Sequence, residues 1–239
     1  MTNVKTAAAF EGFIGFCSGY GGSYNPGLPN LKLSALNELA AKARQALEEM
    51  NVAKSAMKIA INNREMAFAG LPKLVSSIIF ALAASSASEP TMKDARAIVR
   101  QMTGRRKYRP PVASGEATSP AEKGRSLSQL GYESMTDHFA RLVQFLRDEP
   151  LYQPAEMYLS LEGLAEQLSK LRALNTAVKD ARVAFSNARV SLMQLYYGDT
   201  HSVVATARSA KMYVRAIFGL SSMEYQQVRN IHFTKPRFR

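Results

Sequence analysis

Two runs of basic side chains have a spacing that suits anion binding. Lysine and arginine recur at i, i+3 and i+7, first at Lys93, Arg96 and Arg100 and, 115 residues later, at Arg208, Lys211 and Arg215. Residues three and four apart lie on one face of a helix, so each run predicts a basic helix face. Matched faces of this kind suit two phosphates or two acidic partner surfaces. The alternative is the solvated, salt-bridged face of an ordinary amphipathic helix.

A third basic cluster follows the first run in a stretch rich in proline and serine. It comprises Arg105, Arg106, Lys107 and Arg109, and it would extend an anion-binding or nucleic-acid-binding surface. The whole chain carries a formal net charge of +12, with a pI near 9.9. This excess favours a negatively charged partner, such as nucleic acid, an acidic protein or anionic lipid, and it is also compatible with simple solubility.

The sequence offers little enzyme chemistry. Cys17 lies between Gly15 and Gly19, as in a nucleophile elbow, but a glycine turn and Pro26 follow where a helix is needed. The histidines are scattered, at His138, His201 and His232. None of them stands three or four residues from another metal ligand of suitable type. We therefore expect no catalytic, metal-binding or cofactor-binding residue and no enzyme, although a pocket of dispersed residues between helices stays open as a third class.

The cellular setting is inferred from the single cysteine together with an N-terminus, 1–15, that is a poor match to an export signal. Cys17 is the only cysteine, so no intrachain disulfide can form, which favours a reducing, cytoplasmic location. A spanning helix needs about 18 consecutive apolar residues, and the most apolar run, 71–84, contains Pro72 and Lys73. We therefore expect no transmembrane segment.

Apolar residues fall at three- and four-residue intervals over two long stretches, which only a helix places on one face. From Leu31 the pattern predicts a helix of about 38 residues that ends before Pro72. The second stretch starts at Met157 and ends at Gly198. Such lengths are typical of a coiled-coil-like hairpin. Shorter helices are predicted over 71–86, from Ser88 to Gly104, over 134–148, from a cap at Asp199 or Thr200 to Gly219, and over 222–231. The helix over 134–148 is expected to place four apolar residues on one face: Phe139, Leu142, Val143 and Leu146.

The two long stretches also resemble each other. Tyr24-Asn25-Pro26 is answered by Tyr152-Gln153-Pro154, and Leu47, Met50 and Phe68 precede Leu171, Leu174 and Leu192 by 124 positions. Self-similarity at a long period indicates a duplicated supersecondary unit. The spacing then falls to 115 at the basic runs, which implies that the second copy lacks nine residues. Asn51 and Asn175 are interpreted as matched buried residues that fix helix register.

These patterns predict an all-α fold, an elongated antiparallel helical bundle with two long helices in pseudo-repeated halves. We expect five segments: an N-terminal glycine and aromatic arm (1–30), a first helical repeat (31–104), a basic linker (105–131), a second repeat with a bridging helix (132–231) and a basic C-terminal tail (232–239). A helix within the first dozen residues is compatible with this composition. The tail either docks on a neighbour or is a free end.

Several motifs together resemble a family of uncharacterised helical bacterial proteins. They are Tyr24-Asn25-Pro26, Asn62-Asn63-Arg64-Glu65, Leu71-x-Lys73-Leu74-Val75, Ala97-Ile98-Val99-Arg100 and Phe218-Gly219-x-x-Ser222-x-x-Tyr225-x-x-Val228. The resemblance implies a bacterial source and an all-helical fold, and it brings no activity, cofactor or catalytic residue.

The preferred function is a non-enzymatic helical scaffold or interaction protein that assembles with copies of itself or with a protein partner. The alternative is a nucleic-acid-binding protein that uses the basic helix faces.

Overall fold

The computed structural model describes residues 3–103 and 131–235, and within these ranges the chain is all-α, as predicted. The helices are α1 (Asn3–Gly19), α2 (Leu33–Ala69), α3 (Leu71–Ala84), α4 (Glu89–Thr103), α5 (Tyr132–Arg147), α6 (Leu161–Tyr197), α7 (Val203–Phe218) and α8 (Met223–Arg229). Two short 3-10 turns, Gly21–Ser23 and Pro29–Leu31, lie between α1 and α2.

The two long helices have the same length. Both α2 and α6 contain 37 residues, and their first residues, Leu33 and Leu161, are 128 positions apart. The turn before each helix is fixed by the same contact: the Tyr24 hydroxyl donates to the Leu31 carbonyl at 2.9 Å, and the Tyr152 hydroxyl donates to the Leu159 carbonyl at 2.8 Å. These two bonds are also 128 positions apart.

The structural register therefore differs by four residues from the 124-residue spacing of the helix identities. At 128 positions, buried residues pair with buried residues: Leu36 with Leu164, Ala43 with Leu171, and Phe68 with Tyr196. Four residues are about one helical turn, so both registers present the same face and periodicity alone does not separate them.

The interpretation of the two asparagines is only half right. Asn175 is buried and its amide donates to Thr136 Oγ1 at 3.0 Å, whereas Asn51 is exposed. In the 128-residue register the position that corresponds to Asn175 is occupied by Leu47, which is buried. The predicted matched pair of polar residues is therefore wrong.

The chain divides into two compact units, each with a hydrophobic core of its own. Unit 1 comprises Met1–Met57 and Ala181–Arg239, and unit 2 comprises Lys58–Asp180. This grouping differs from the segments read along the sequence, because α2 and α6 each contribute one part to either unit. No residue over 51–67 or 179–191 is buried, so the expected continuous core along the two helices is replaced by two separate cores.

The core of unit 1 is built on α1. This helix of 17 residues occupies most of the stretch predicted as an arm, and the glycine turns begin only at Gly21, whose φ is +55°. Its buried face includes Phe10, Phe13 and Cys17. They pack in one cluster with side chains of α2, α6 and α7, and the Tyr196 hydroxyl donates to the Ala43 carbonyl at 3.0 Å.

The core of unit 2 is built on α5, the predicted bridging helix. The four residues expected on one face, Phe139, Leu142, Val143 and Leu146, are all buried. Helices α3 and α4 pack in the same cluster, which confirms this face of the prediction. The Asn175 contact with Thr136 adds a polar bond between α6 and α5.

Serine caps begin α4 and α7, and also α8, where Ser222 Oγ accepts from the Tyr225 amide at 3.1 Å. Ser88 Oγ accepts from the Thr91 amide at 3.3 Å, and Ser202 Oγ accepts from the Ala205 amide at 3.4 Å. Ser202 thus caps α7 where Asp199 or Thr200 was expected. Ser88 and Ser202 are 114 positions apart, so the spacing falls by 14 residues after the long helices, and 14 residues is the length of α3. The predicted loss of nine residues rested on the 124-residue register and stays a prediction.

Candidate functional site

The first basic run forms a solvated face on α4. Lys93 and Arg96 are exposed and Arg100 is half-buried. Within residues 3–103 and 131–235, none of the three side chains has an ion pair or a hydrogen bond. Their charges are therefore available to an anionic partner and are equally suited to water.

The second basic run does not form a matching face, because two of its three residues bind backbone carbonyls. Lys211 Nζ donates to the Arg229 carbonyl at 2.7 Å and to the Ile231 carbonyl at 2.8 Å. Arg208 Nε donates to the Phe233 carbonyl at 2.7 Å. A lysine that binds the last carbonyls of a helix caps its C-terminus, here that of α8. Burial lowers the pKa of Lys211, whereas Arg215 is exposed.

These contacts hold the segment that follows α8 against unit 1. The Phe233 ring is buried and meets the rings of Phe10 and Phe13 edge to face, with centroid distances of 6.4 and 6.0 Å. The next residues, Thr234 and Lys235, are exposed. The predicted tail is thus anchored through Phe233, and residues 236–239 lie outside the described part of the chain.

The remaining basic candidates, Arg105, Arg106, Lys107 and Arg109, also lie outside the described residues, as does Gly104. The proposed extension of the α4 face by this cluster stays a prediction.

Cys17 packs as an apolar side chain. It is completely buried in unit 1, and this burial raises the pKa of its thiol to about 12, so the thiol is protonated at neutral pH. His138 is buried in unit 2, where loss of solvent lowers its pKa. Among the described residues, no three histidine, cysteine, aspartate or glutamate side chains lie close enough to hold a metal ion.

A groove that sequence reasoning missed lies between α3 and the segment 151–159 of unit 2. It has a volume of about 570 Å³, and its lining is mixed: Phe80, Leu151 and Tyr158, which are 75%, 52% and 61% exposed, stand beside the polar Ser77, Ser85 and Gln153. Glu156 is the one charged side chain among the described residues that line it. We call this surface the α3 groove.

A second depression of about 640 Å³ shares Tyr158 with the α3 groove. Its lining includes Leu74 of α3, the exposed Met157, and two charged residues, Glu166 and Lys170. The exposed apolar surface thus continues from Phe80 past Tyr158 to Met157. The signal in the sequence was the apolar composition of 71–84, which has apolar residues, Phe80 among them, beyond the four that are buried, although Lys73, Ser76 and Ser77 also lie outside the buried face.

The same segment gives a membrane signal. Leu33–Ala84 contains an 18-residue window with a mean hydropathy of 1.8, of which 28% is buried, so by length and composition this stretch could cross a membrane. A core helix of a soluble protein passes the same test. An unbroken apolar run and a high mean hydropathy are different criteria. Pro72 and Lys73 interrupt the run, but the mean hydropathy of the window stays high.

Comparisons with known proteins add no template for this surface. The chain matches no protein-family model, no curated protein and no solved structure. The resemblance to helical bacterial proteins therefore stays a prediction, and function has to be argued from the geometry.

Proposed function

We propose that this chain is a non-enzymatic helical interaction protein that assembles with copies of itself through the α3 face of unit 2. The observation that carries the proposal is the exposure of Phe80, Leu151 and Tyr158 around one groove. Scattered apolar side chains are normal on a surface, but contiguous ones that line a concave site mark an interaction surface.

The residues of α3 that anchor it to the core of unit 2 lie on one face of the helix. Leu71, Val75, Ile78 and Leu82 are all buried and anchor the helix on unit 2. Phe80 points away from them and is 75% exposed. Burying an aromatic side chain of this kind contributes about 1.5 to 3 kcal/mol. Folding of the chain leaves the Phe80 ring exposed, so this free energy is still available to a partner that covers it.

We further propose that the two units derive from one duplicated unit and that α3 is an addition to the second. Three observations support this: the equal lengths of α2 and α6, the matched tyrosine bonds, and the serine caps of α4 and α7, between which the spacing falls by the length of α3. A face that occurs once in each chain either pairs with itself around a twofold axis or meets a different surface of the next copy.

The test is the mass in solution over a range of concentrations, measured by light scattering on the full chain. We expect a mass above the 26.3 kDa of one chain, which falls to that value in the double variant Phe80→Ser, Tyr158→Ser. The control is Met212→Ser, which removes an equally exposed apolar side chain, 64% exposed, from α7 of unit 1. Circular dichroism checks that every variant is folded. A wild-type chain that stays at 26.3 kDa at all concentrations would refute self-assembly.

Nucleic-acid binding is the second candidate, and the solvated face of α4 favours it. Lys93 and Arg96 are exposed and have no partner among the described residues, as phosphate-binding side chains require. In filter binding at low salt, Lys93→Glu with Arg96→Glu should abolish retention of DNA or RNA, and binding should weaken steeply as salt rises. Lys211 is unsuitable for this test because it holds α8. Retention that is equal for the wild type and the double variant would refute a role for this face.

A further inference from the structure

We propose that the α3 groove binds the Arg237-Phe238-Arg239 segment of a second copy, so that the chains join head to tail. The inference rests on the proposed self-assembly and names the surface that meets the α3 face. It also assigns a role to the basic and aromatic segment that follows the buried Phe233.

The groove has the chemistry of a receptor for an aromatic side chain beside a cation. Phe80, Leu151 and Tyr158 offer apolar and aromatic walls, and a volume of about 570 Å³ accommodates a phenyl ring. Glu156 lies among these walls in a chain whose net charge is +12, so the groove is locally acidic on a basic protein. Its carboxylate has no ion pair within residues 3–103 and 131–235.

The proposed occupant has the complementary chemistry. Phe238 is flanked by Arg237 and Arg239, and the guanidinium of either suits a bidentate contact with a carboxylate or a stack on an exposed tyrosine. The segment starts from a fixed point, because Phe233 is buried in unit 1 and its carbonyl accepts from Arg208. Six residues follow Phe233, enough to extend about 20 Å from that anchor.

A lipid surface fits the groove less well than this segment does. Anionic lipid headgroups repel carboxylates, and Glu156 is the one charged side chain among the described residues that line the α3 groove, while Glu166 in the second depression is accompanied by Lys170. A basic peptide is attracted by Glu156. Charge complementarity therefore favours the peptide over the membrane, and also over a purely apolar partner.

The first experiment measures binding of a labelled peptide by fluorescence polarisation. The peptide is residues 234–239 with an amidated end, and the receptor is the full chain carrying Phe238→Ser, so that its own segment does not compete. We expect saturable binding that weakens about tenfold or more in the receptor variants Glu156→Lys and Phe80→Ser, and not in Met212→Ser. A peptide with serine in place of Phe238, which has the same charge, should bind about tenfold more weakly.

Each of the following results overturns the proposal. Equal binding of the phenylalanine and serine peptides means that charge alone attracts the segment. Binding that is unchanged by Glu156→Lys and Phe80→Ser places the contact elsewhere. Tighter binding of a peptide of residues 105–111, whose Tyr108 also stands between basic residues, makes the linker the occupant.

Sedimentation with vesicles of phosphatidylserine and phosphatidylcholine tests the lipid directly. Vesicle binding that is lost in Phe80→Ser, without any peptide binding, assigns the face to a membrane.

The two proposals fail in different ways. If Phe80→Ser, Tyr158→Ser lowers the mass in solution but Phe238→Ser does not, self-assembly stands and the segment is not its occupant. If the wild type is a monomer and the peptide nevertheless binds to the groove, self-assembly is refuted and the occupant is the chain's own segment. Loss of mass in both variants, with peptide binding, supports the head-to-tail contact.

Discussion

Units 1 and 2 use the same plan for their cores and differ in how their outer helices are covered. In unit 1 the buried face of α1 includes Phe10 and Ile14, and in unit 2, 129 positions later, the buried face of α5 includes Phe139 and Val143. A tyrosine bond fixes the turn before the long helix in both. The common parts are therefore the parts that make a core.

The outer helices show the difference. In unit 1, α7 buries six residues and packs against α1, α8 and the Pro29–Leu31 turn. In unit 2, α3 buries four residues, and Phe80 on its other face is left to solvent. In unit 1, α8 and the segment up to Phe233 cover part of α7, but Met212 of α7 is still 64% exposed. What distinguishes α3 is that its exposed Phe80 lines a groove together with Leu151 and Tyr158, and such a site is where a partner is expected.

The largest effect should come from the matched core residues. Phe10→Ala and Phe139→Ala each remove a completely buried ring, and each should lower the free energy of unfolding by about 3 to 5 kcal/mol. Urea unfolding followed by circular dichroism measures both values. If the two helices play equivalent parts, the two losses agree within about 1 kcal/mol.

Phe80→Ala is the control for this pair, since it removes the same ring from an exposed position and should cost about 0.5 kcal/mol or less in the isolated chain. A loss below about 1 kcal/mol for either core variant would break the equivalence of α1 and α5.

Alkaline pH should separate the two units by the number of buried acids that each contains. In unit 1, burial raises the pKa of both Cys17 and Tyr196 to about 12, and it raises the pKa of Tyr24 as well. Among the described residues of unit 2, only Tyr152 has a phenol whose pKa is raised by burial, to about 12. A raised pKa means that the folded state keeps a proton that the unfolded chain releases, so stability falls as pH rises from about 9 to 12.

We expect the unfolding free energy of the wild type to fall by more than about 2 kcal/mol between pH 8 and pH 11. Tyr196→Phe and Cys17→Ala should each make stability less dependent on pH. The measurement is the change in the urea midpoint of each variant between pH 8 and pH 11. Tyr152→Phe provides the comparison from unit 2. A stability that is equal at pH 8 and pH 11 would contradict the burial of these groups.

The fold was largely predictable because helix periodicity is a local property. The two long helices begin and end within a few residues of the predicted positions, and the buried face of α5 was named correctly. The register between the long helices was not predictable in the same way. Identities 124 positions apart, such as Asn51 and Asn175, compete with a structural spacing of 128, and a shift of one turn leaves the apolar pattern nearly unchanged.

The candidate site was less predictable because exposure depends on residues that are distant in sequence. The stretch 71–84 was recognised as the most apolar run, but nothing local shows that segment 151–159 forms the second wall of a groove beside it. Similarly, the spacing of Arg208, Lys211 and Arg215 predicts a solvated face, while the carbonyls that Lys211 binds lie 18 and 20 positions away. Spacing predicts which residues share a face, and it does not predict what covers that face.

Lys211 offers the finest test of how the basic runs differ. Lys211→Met keeps the length of the side chain and removes two charge-assisted hydrogen bonds to the Arg229 and Ile231 carbonyls, so the free energy of holding this segment should fall by about 1 to 3 kcal/mol. Since trypsin cleaves after arginine only where the backbone is free, cleavage after Arg229 should become about tenfold faster.

The matched control is Lys93→Met, at the first position of the α4 run, whose ammonium is exposed and has no partner among the described residues. It should leave both the cleavage rate and the unfolding free energy unchanged. If the two variants behave alike, the basic runs are equivalent after all, and the carbonyl contacts of Lys211 contribute nothing to closing unit 1. If only Lys211→Met frees the segment, one lysine of the pair stabilises the fold and the other is left for a partner.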